Sequence, residues 1–283
     1  MQGRPEVSVV IPAYRAGATL RRAVHSVLAS GLPANQIEIA IASDDGQDYS
    51  AMVPPEIALV QADPGPIASG VGPARNRAVN VASGRFLAFL DADDTWEPGY
   101  LADALPIARR EGLCFSPTQI IQDGVPLFRT FESPRITLQE LSRTGASHHP
   151  VALREHVGEF RNGPAQDVLH AVELITLNGG SAAASRRAYE LHLLDGSVSR
   201  QPGFVRRVAR TYHDIIREIV EGRTRVPPDW RAAAAKVFHD KLSLNQAYEE
   251  SQALGFYEFM AERSESADRV TRRPAPRPPV RYS

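Results

Sequence analysis

The sequence predicts an α/β fold with a mostly parallel central sheet flanked by helices, followed by a C-terminal helical appendage. Three observations lead to this prediction. Residues 1 to about 105 alternate short apolar runs with segments of helical periodicity, a pattern typical of parallel strands joined by helices. Acidic or other polar residues follow several of these runs directly, at the position where open α/β sheets bind ligands. From Phe204 onward the periodicity is mostly helical.

The first elements follow from residue patterns in chain order. An apolar run over residues 7–11 predicts a buried strand that Pro12 stops, and apolar positions over residues 20–28 predict the next helix. Residues 37–42 predict a second strand, which ends at Asp44 and Asp45. A Pro- and Gly-rich loop then leads into a helix, and its glycines lack the spacing of a dinucleotide-binding loop.

An acidic motif follows the next apolar run, which covers residues 86–90 and is too short for a stable helix. Alternation along an extended chain places Asp91 and Asp93 on the same side. Two neighbouring carboxylates repel each other unless a cation lies between them, and Mg²⁺ or Mn²⁺ is the usual occupant of such a site. The alternative is a polar turn in which one Asp caps the following helix.

Four motifs together resemble a known family. They are Val-Ser-Val-Val-Ile-Pro-Ala-Tyr from Val7, Ser-Asp-Asp-Gly from Ser43, Ala-Arg-Asn-Arg-Ala from Ala74, and Phe-Leu-Asp-Ala-Asp-Asp from Phe89. In order and spacing they are similar to family 2 glycosyltransferases of the GT-A fold, closely over residues 6–105 and more loosely to about 200. The resemblance implies an inverting, metal-dependent transfer of a sugar from a UDP-sugar to an acceptor hydroxyl.

The resemblance also implies where the nucleotide binds. Pro12, Ala13 and Tyr14 would line the base pocket, with Tyr14 near the ring. Asp44 matches the family carboxylate that accepts a hydrogen bond from the uracil imide. Arg75 would meet the base or the phosphates, because its planar fork of donors suits anionic partners. Packing for Tyr14 and a surface salt bridge for Arg75 are the structural alternatives.

The metal, Mn²⁺ or Mg²⁺, would be held at the acidic motif. By resemblance, Asp93 is the direct ligand, and Asp91 either contacts the ribose or completes the metal shell. Ala92, between them, belongs to the same donor-binding segment. His192 lies in a later segment that also resembles the family, and it either completes the metal shell through a neutral imidazole or is a half-buried structural histidine.

The acceptor hydroxyl needs a base, and the resemblance assigns this role to Asp167. Inverting members carry an acidic pair about seventy residues beyond the metal motif, and Asp167 lies at that distance. Gln166 replaces the preceding Glu of the family, which keeps hydrogen bonding and loses a charge. The structural alternative is that Asp167 caps the helix whose apolar face begins at Val168.

Composition and patterning divide the chain as follows. Residues 1–200 form the predicted GT-A domain, with a nucleotide-sugar half (1–105) and an acceptor half (106–200), followed by a helical appendage (201–263) and a flexible Arg/Pro-rich tail (264–283). The hydrophobic fraction of 43% and net charge of −1 exclude a disordered protein and give no reason to expect nucleic-acid binding. The sequence has no long apolar run and no second cysteine beside Cys114, so we expect a cytoplasmic protein. If its acceptor is lipid-linked, we expect the protein to work at the inner face of the membrane.

Two questions stay open at this point. The basic amphipathic pattern that begins at Phe204 either lies on an anionic membrane or packs on the catalytic domain or on a second copy in a homo-oligomer. The acceptor is expected to be a saccharide or a lipid-linked saccharide in surface polysaccharide or glycoconjugate synthesis. A sugar-phosphate nucleotidyltransferase and a non-catalytic nucleotide-sugar-binding module are the alternatives to a glycosyltransferase.

Overall fold

The computed structural model describes residues 4–146, 148–194 and 203–271, with side chains described as far as residue 264. Its strands are β1 Val7–Ala13, β2 Ile37–Ser43, β3 Ala58–Gln61, β4 Phe86–Phe89, β5 Thr95–Trp96, β6 Leu113–Cys114, β7 Thr118–Gln122, β8 Val125–Arg129, β9 Arg135–Thr137, β10 Val151–Leu153, β11 Ser181–Ala183 and β12 Tyr189–Leu193. Its helices are α1 Leu20–Leu28, α2 Val71–Val81, α3 Tyr100–Glu111, α4 Leu138–Arg143, α5 Gln166–Leu177, α6 Phe204–Val220, α7 Arg231–Glu249 and α8 Phe256–Thr271.

The central sheet has the strand order β3-β2-β1-β4-β10-β6. Strands β1 to β4 are parallel, and β10 runs antiparallel to both β4 and β6. Every residue of β1 and β4 is buried, because parallel strands are covered by helices on both faces of the sheet. The mostly parallel α/β fold predicted from the sequence is therefore confirmed.

Strand β1 continues through Pro12 to Ala13, so the prediction that Pro12 stops this strand is wrong. Pro12 lies opposite Ala42 of β2. On the other side of β1, pairing with β4 ends at Val10. The end of β1 is therefore a local sheet edge, where a residue without an N–H group breaks no ladder hydrogen bond.

A second sheet of order β5-β12-β7-β8 lies beside the acidic motif. The chain passes from one sheet to the other after Cys114, since β6 belongs to the central sheet and β7 to the second one. Strand β5 directly follows the acidic motif and pairs with β12, with Tyr189 opposite Trp96 and Glu190 opposite Thr95. This pairing brings His192 of β12 to the acidic motif.

The apolar face of α6 is buried. Of the two alternatives for this face, membrane contact and packing within the protein, the structure shows packing within the protein. Val208, Tyr212, Ile215 and Ile219 share one core cluster with α5 and α7. The apolar face for which a membrane contact was one alternative is thus covered by the protein's own helices, while basic residues such as Arg206 and Arg217 remain exposed.

The C-terminal end of the described chain is helical. Helix α8 runs to Thr271 and so includes the first eight residues of the segment predicted as a flexible tail, 264–271; residues 272–283 lie outside the described residues. Within the described part of the chain, no helix combines the length and the apolar character needed to span a bilayer.

Candidate functional site

A cavity of about 580 Å³ opens where β1 and β2 end. Tyr14 and Asp45, which follow these two strands, lie in its wall together with Tyr49. Tyr14 is 47% exposed, and the Arg15 guanidinium lies over its ring, 5.1 Å from the centroid. Pro12 and Ala13 are buried at the end of β1, directly before Tyr14. The cavity has the size of a typical small-molecule site.

The side chain of Asp44 is engaged by the loop that precedes α2. One oxygen accepts hydrogen bonds from Ser69 N and Arg77 Nη2, both at 3.1 Å, and from the Ser69 hydroxyl. The other accepts one from Gly70 N at 2.9 Å. Burial alone would raise the pKa of Asp44, but the hydrogen bonds from Ser69, Gly70 and Arg77 outweigh it and lower the pKa. Asp44 therefore fixes this loop, and its second oxygen, which accepts only the bond from Gly70, keeps a lone pair for the predicted contact with uracil.

Asp45, rather than Asp44, is the carboxylate of this pair in the cavity wall. It accepts hydrogen bonds from Arg15 N at 2.5 Å and from the Tyr49 hydroxyl at 2.8 Å. Asp45 is not among the residues predicted from the sequence to bind the nucleotide. Successive side chains of an extended segment point to opposite sides, so the two neighbours face different surroundings, and the sequence alone does not tell which one faces the cavity.

The three carboxylates of the acidic motif have three different environments. Asp93 is exposed, and its backbone carbonyl accepts a hydrogen bond from Arg22 Nη2 at 2.6 Å. The surrounding protein and the negative charge of Asp91 raise the pKa of the Asp93 carboxyl. A cation at this position would relieve that repulsion. Asp93 is thus the carboxylate of the motif that is free to meet a metal ion.

Asp94 is buried and attaches the acidic motif to β12. Its two oxygens accept hydrogen bonds from the Tyr189 hydroxyl at 2.7 Å and from His192 N at 2.9 Å. Burial, with the charges of Asp93 and Asp91, raises the pKa of Asp94 well above its usual range. Asp94 does not cap α3, which begins six residues later at Tyr100.

Asp91 forms an ion pair with Arg75, which is only 1% exposed. Burial opposes the ionisation of Asp91, but Arg75 and His149 outweigh it and hold its pKa well below the usual range. The guanidinium also donates from Nη1 to Gln166 Oε1 at 2.7 Å and lies over the Phe160 ring, 5.2 Å from its centroid. Arg75 is therefore not a surface residue and does not lie in the cavity wall. It joins the acidic motif to α5 instead.

His149 also reaches the acidic motif, although no sequence motif predicts this. It is 2% exposed, and its Nε2 lies 3.6 Å from the second oxygen of Asp91. Its place follows from β10, which begins at Val151 and runs antiparallel to β4. No local motif encodes that pairing.

His192 lies beside the acidic motif as a neutral imidazole. Burial and the charge of Arg22 lower its pKa to about 4, and the neutral ring is the form that binds metals. Thr95 Oγ1 donates to Glu190 at 2.6 Å and lies 2.7 Å from His192 Nε2. Because the hydroxyl has one hydrogen, Nε2–H is the donor to Thr95, and Nδ1 keeps its lone pair.

The donor set fits an open site for a hard divalent cation. An exposed carboxylate (Asp93) and a neutral imidazole (His192) are suitable ligands for Mn²⁺ or Mg²⁺. The described residues contain no group of three or more metal-binding side chains arranged to hold an ion. An ion at this edge would therefore take most of its ligands from substrate phosphates and water, as Mg²⁺ usually does.

Asp167 lies in the first turn of α5 and is 9% exposed. The residue before the helix is Ala165, which has a left-handed backbone (φ 58°) and makes no side-chain cap. Because Asp167 lies inside the helix, the alternative that it caps this helix is wrong. Gln166, which takes the position of the family's Glu, accepts the hydrogen bond from Arg75 and so ties α5 to Asp91.

Comparisons with known proteins find a family match, relatives and structures of the same fold. The model of glycosyl transferase family 2 matches residues 8–154. The chain is 34% identical over 140 residues to the putative teichuronic acid biosynthesis glycosyltransferase TuaG of Bacillus subtilis, covering 46% of this chain and 54% of that protein. It is 29% identical over 229 residues to the uncharacterized glycosyltransferase YibD of Escherichia coli, covering 71% and 65%. The chain thus spans about half to two thirds of the length of these relatives.

Two solved structures share the fold. One is S. aureus TarS 1–349 in complex with UDP-GlcNAc, with a TM-score of 0.57 at 16% identity, covering 87% of this chain and 92% of that one. The other is the mannosyltransferase PcManGT of Pyrobaculum calidifontis in complex with GDP-Man and Mn²⁺, with a TM-score of 0.55 at 15% identity, covering 94% and 76%. At such identities the likeness establishes the fold alone.

Proposed function

The chain belongs to glycosyltransferase family 2, and from that premise we propose that it is an inverting, metal-dependent glycosyltransferase. It moves a sugar from a UDP-sugar to an acceptor hydroxyl. The observation that carries this proposal is the buried bridge from Asp91 through Arg75 to Gln166. This bridge fixes the candidate metal edge and the helix of the candidate base in one rigid arrangement, as preorganised catalysis requires.

The donor lies along the carboxyl edge of the central sheet. The cavity beside Tyr14 takes the base, with the exposed ring of Tyr14 against it and Asp45 as the nearest carboxylate for the uracil imide. Asp93 and His192 hold Mn²⁺ or Mg²⁺, which when bound stabilises the negative charge of the departing diphosphate. The choice of UDP is supported by the UDP-Glc donor in the name of a relative, WfgD of Escherichia coli, and the choice of a metal by the exposed Asp93 carboxylate beside the negative charge of Asp91.

Asp167 acts as the base in a single displacement. The acceptor oxygen attacks the anomeric carbon opposite the diphosphate, and its proton passes to the Asp167 carboxylate. Arg75 keeps Asp91 ionised at the metal edge. Gln166 accepts a hydrogen bond from the same guanidinium and adds no negative charge. The positive charge of Arg75 therefore remains paired with the carboxylate of Asp91.

The acceptor is a saccharide or a lipid-linked saccharide in the synthesis of a surface polysaccharide or glycoconjugate. The names of two relatives support this class. One is a putative teichuronic acid biosynthesis enzyme, and the other is an Escherichia coli glucosyltransferase, WfgD, that acts on GlcNAc-diphosphoundecaprenol and is 32% identical over 111 residues. Such an acceptor would place the protein at the cytoplasmic face of a membrane.

Calorimetric titration with UDP-, dTDP- and GDP-sugars, in Mn²⁺ and again in chelator, tests the proposal when combined with an assay of released UDP. We expect one UDP-sugar to bind tightly only with the metal and to release UDP. Release of pyrophosphate from a nucleoside triphosphate and a sugar phosphate would instead identify a nucleotidyltransferase. Metal-dependent binding without UDP release across a broad acceptor panel would identify a non-catalytic binding module.

A further inference from the structure

Arg15 has a backbone conformation that its residue type rarely adopts. It follows β1 and Tyr14, and its φ of 51° lies in the left-handed region. Apart from glycine, mainly asparagine, aspartate and histidine use that region, because other side chains are strained there. Strained residues of this kind cluster at ligand-binding sites, and they persist only where the surrounding structure holds them.

Asp45 and Tyr49 hold the strained turn in place. The backbone N–H of Arg15 donates to Asp45 Oδ2 at 2.5 Å, and the N–H of Ala16 donates to the Tyr49 hydroxyl at 3.0 Å. The same hydroxyl donates to Asp45 Oδ2 at 2.8 Å. These bonds fix the backbone on both sides of the Arg15 Cα atom, so they set the direction in which its side chain leaves the chain.

The Arg15 side chain lies in the wall of the candidate base cavity. Its guanidinium lies over the Tyr14 ring, 5.1 Å from the centroid, at the distance of a cation–π contact. Within the described part of the chain, this guanidinium pairs with no carboxylate. Its position is therefore set by the strained turn and the aromatic ring, not by a counter-ion.

We propose that Arg15 is a base-binding residue whose guanidinium forms the second wall of a clamp, with the uracil ring held between it and Tyr14. A guanidinium is planar and stacks on aromatic faces, and every nucleotide base offers such a face. This inference rests on the proposed function, in which the cavity takes the base of the donor. The strained turn then serves binding, because it places a guanidinium over an exposed aromatic ring.

The clamp opens by rotation of the Arg15 side chain. A base between two planar groups needs roughly 7 Å, twice the contact distance of stacked atoms, and the observed separation is 5.1 Å. The side chain of Arg15 is exposed, and exposed side chains change rotamer within picoseconds to nanoseconds. The backbone held by Asp45 does not have to move, so the turn keeps the clamp in place while the base enters.

The diphosphate is the other anionic or planar group of the donor that a guanidinium could meet. It is proposed to lie at the metal edge, where Arg22 contacts the backbone of Asp93 at 2.6 Å, whereas Arg15 lies over the ring expected against the base. The two partners also make different demands on the side chain. A phosphate accepts lysine as well as arginine, but stacking on a base requires the guanidinium plane.

The first test measures the affinities for UDP and for uridine in Mn²⁺, by calorimetry for UDP and by competition for uridine. Arg15→Asn removes the guanidinium and keeps a residue that tolerates the left-handed backbone. We expect both affinities to fall about five- to tenfold in Arg15→Asn and Arg15→Lys to recover little of the loss. Arg21→Gln, which removes an exposed guanidinium of α1 outside the cavity, is the control and should match the wild type.

The outcomes separate this inference from the proposed function. Unchanged affinities in Arg15→Asn, with a wild type that binds UDP, would overturn the inference alone. A loss confined to UDP and restored by Arg15→Lys would also overturn it, since Arg15 would then contact the phosphates. A wild type that binds neither UDP nor uridine would refute the proposed function, and the inference with it.

A second measurement uses no ligand. Because asparagine is less strained than arginine in the left-handed region, we expect Arg15→Asn to unfold roughly 2 °C above the wild type. Saturating UDP should raise the Tm of the wild type more than that of Arg15→Asn, because the variant binds UDP more weakly. A lower Tm for ligand-free Arg15→Asn would contradict the proposal, since Arg15 would then stabilise the fold itself.

Discussion

The donor edge and the region around Asp167 are built in different ways. Residues of the donor edge, such as Tyr14 and Asp93, lie in the segments that follow β1 and β4 of the central sheet, and both are exposed. Around Asp167 the polar groups are buried, and their bonds join distant parts of the chain, as the bond from Arg75 to Gln166 does. In the proposed function, substrate and metal complete the first region, whereas the fold alone preorganises the second.

The largest effect is expected at the donor edge, from Asp93→Ala. Because Asp93 is the exposed carboxylate of the acidic motif, its loss should remove metal-dependent donor binding and lower UDP release by roughly 10³-fold. Folding should be unaffected. Calorimetry with Mn²⁺ and the UDP assay measure both quantities, and Asp240→Ala, an exposed carboxylate on α7, is the control. Full metal-dependent binding in Asp93→Ala would remove this residue from the site.

The matching substitution in the second region is Asp167→Asn. It keeps the shape of the side chain but not a basic carboxylate, so kcat should fall by roughly 10²–10⁴-fold. Donor affinity should remain that of the wild type, because Asp167 takes the acceptor's proton and does not bind the nucleotide. The same two assays separate these effects. Near-normal turnover would show that another group is the base.

A smaller effect is expected where the two regions meet, at Gln166. Gln166→Ala leaves a buried donor of Arg75 without its acceptor, which should lower the free energy of unfolding by about 2 kcal/mol. Gln166→Glu keeps an acceptor at the same place and should be closer to the wild type. Denaturant unfolding of the three proteins measures the difference. Equal stability of all three would mean that the bridge does not hold α5 to the acidic motif.

The smallest effect is expected from Tyr14. Tyr14→Ala should weaken donor binding by about tenfold, since stacking of a base on an aromatic ring contributes roughly 1–3 kcal/mol. Tyr14→Phe keeps the ring and should bind as the wild type does. Thermal unfolding should not change, because the ring is 47% exposed. If Tyr14→Ala binds UDP normally, the base does not lie against this side chain.

The same difference between the regions explains how far the sequence could predict them. Strands β1, β2 and β4 follow from short buried runs, and the acidic motif follows from its place at the end of one. His149 could not be predicted, since pairing between distant strands brings it to the site. The burial of Lys241 could not be predicted either, because a lysine in a helical pattern is expected on a solvated face, and the packing of α7 on α4 buries it.

The most direct test of the account is a crystal structure with UDP and Mn²⁺, in which anomalous scattering locates the metal. We expect the metal to contact the Asp93 carboxylate and the diphosphate. The uracil should lie in the cavity beside Tyr14 and Asp45, and Asp167 should lie across from the diphosphate, with Arg75 still joined to Asp91 and Gln166. A metal bound away from Asp93, or a nucleotide outside that cavity, would contradict the account.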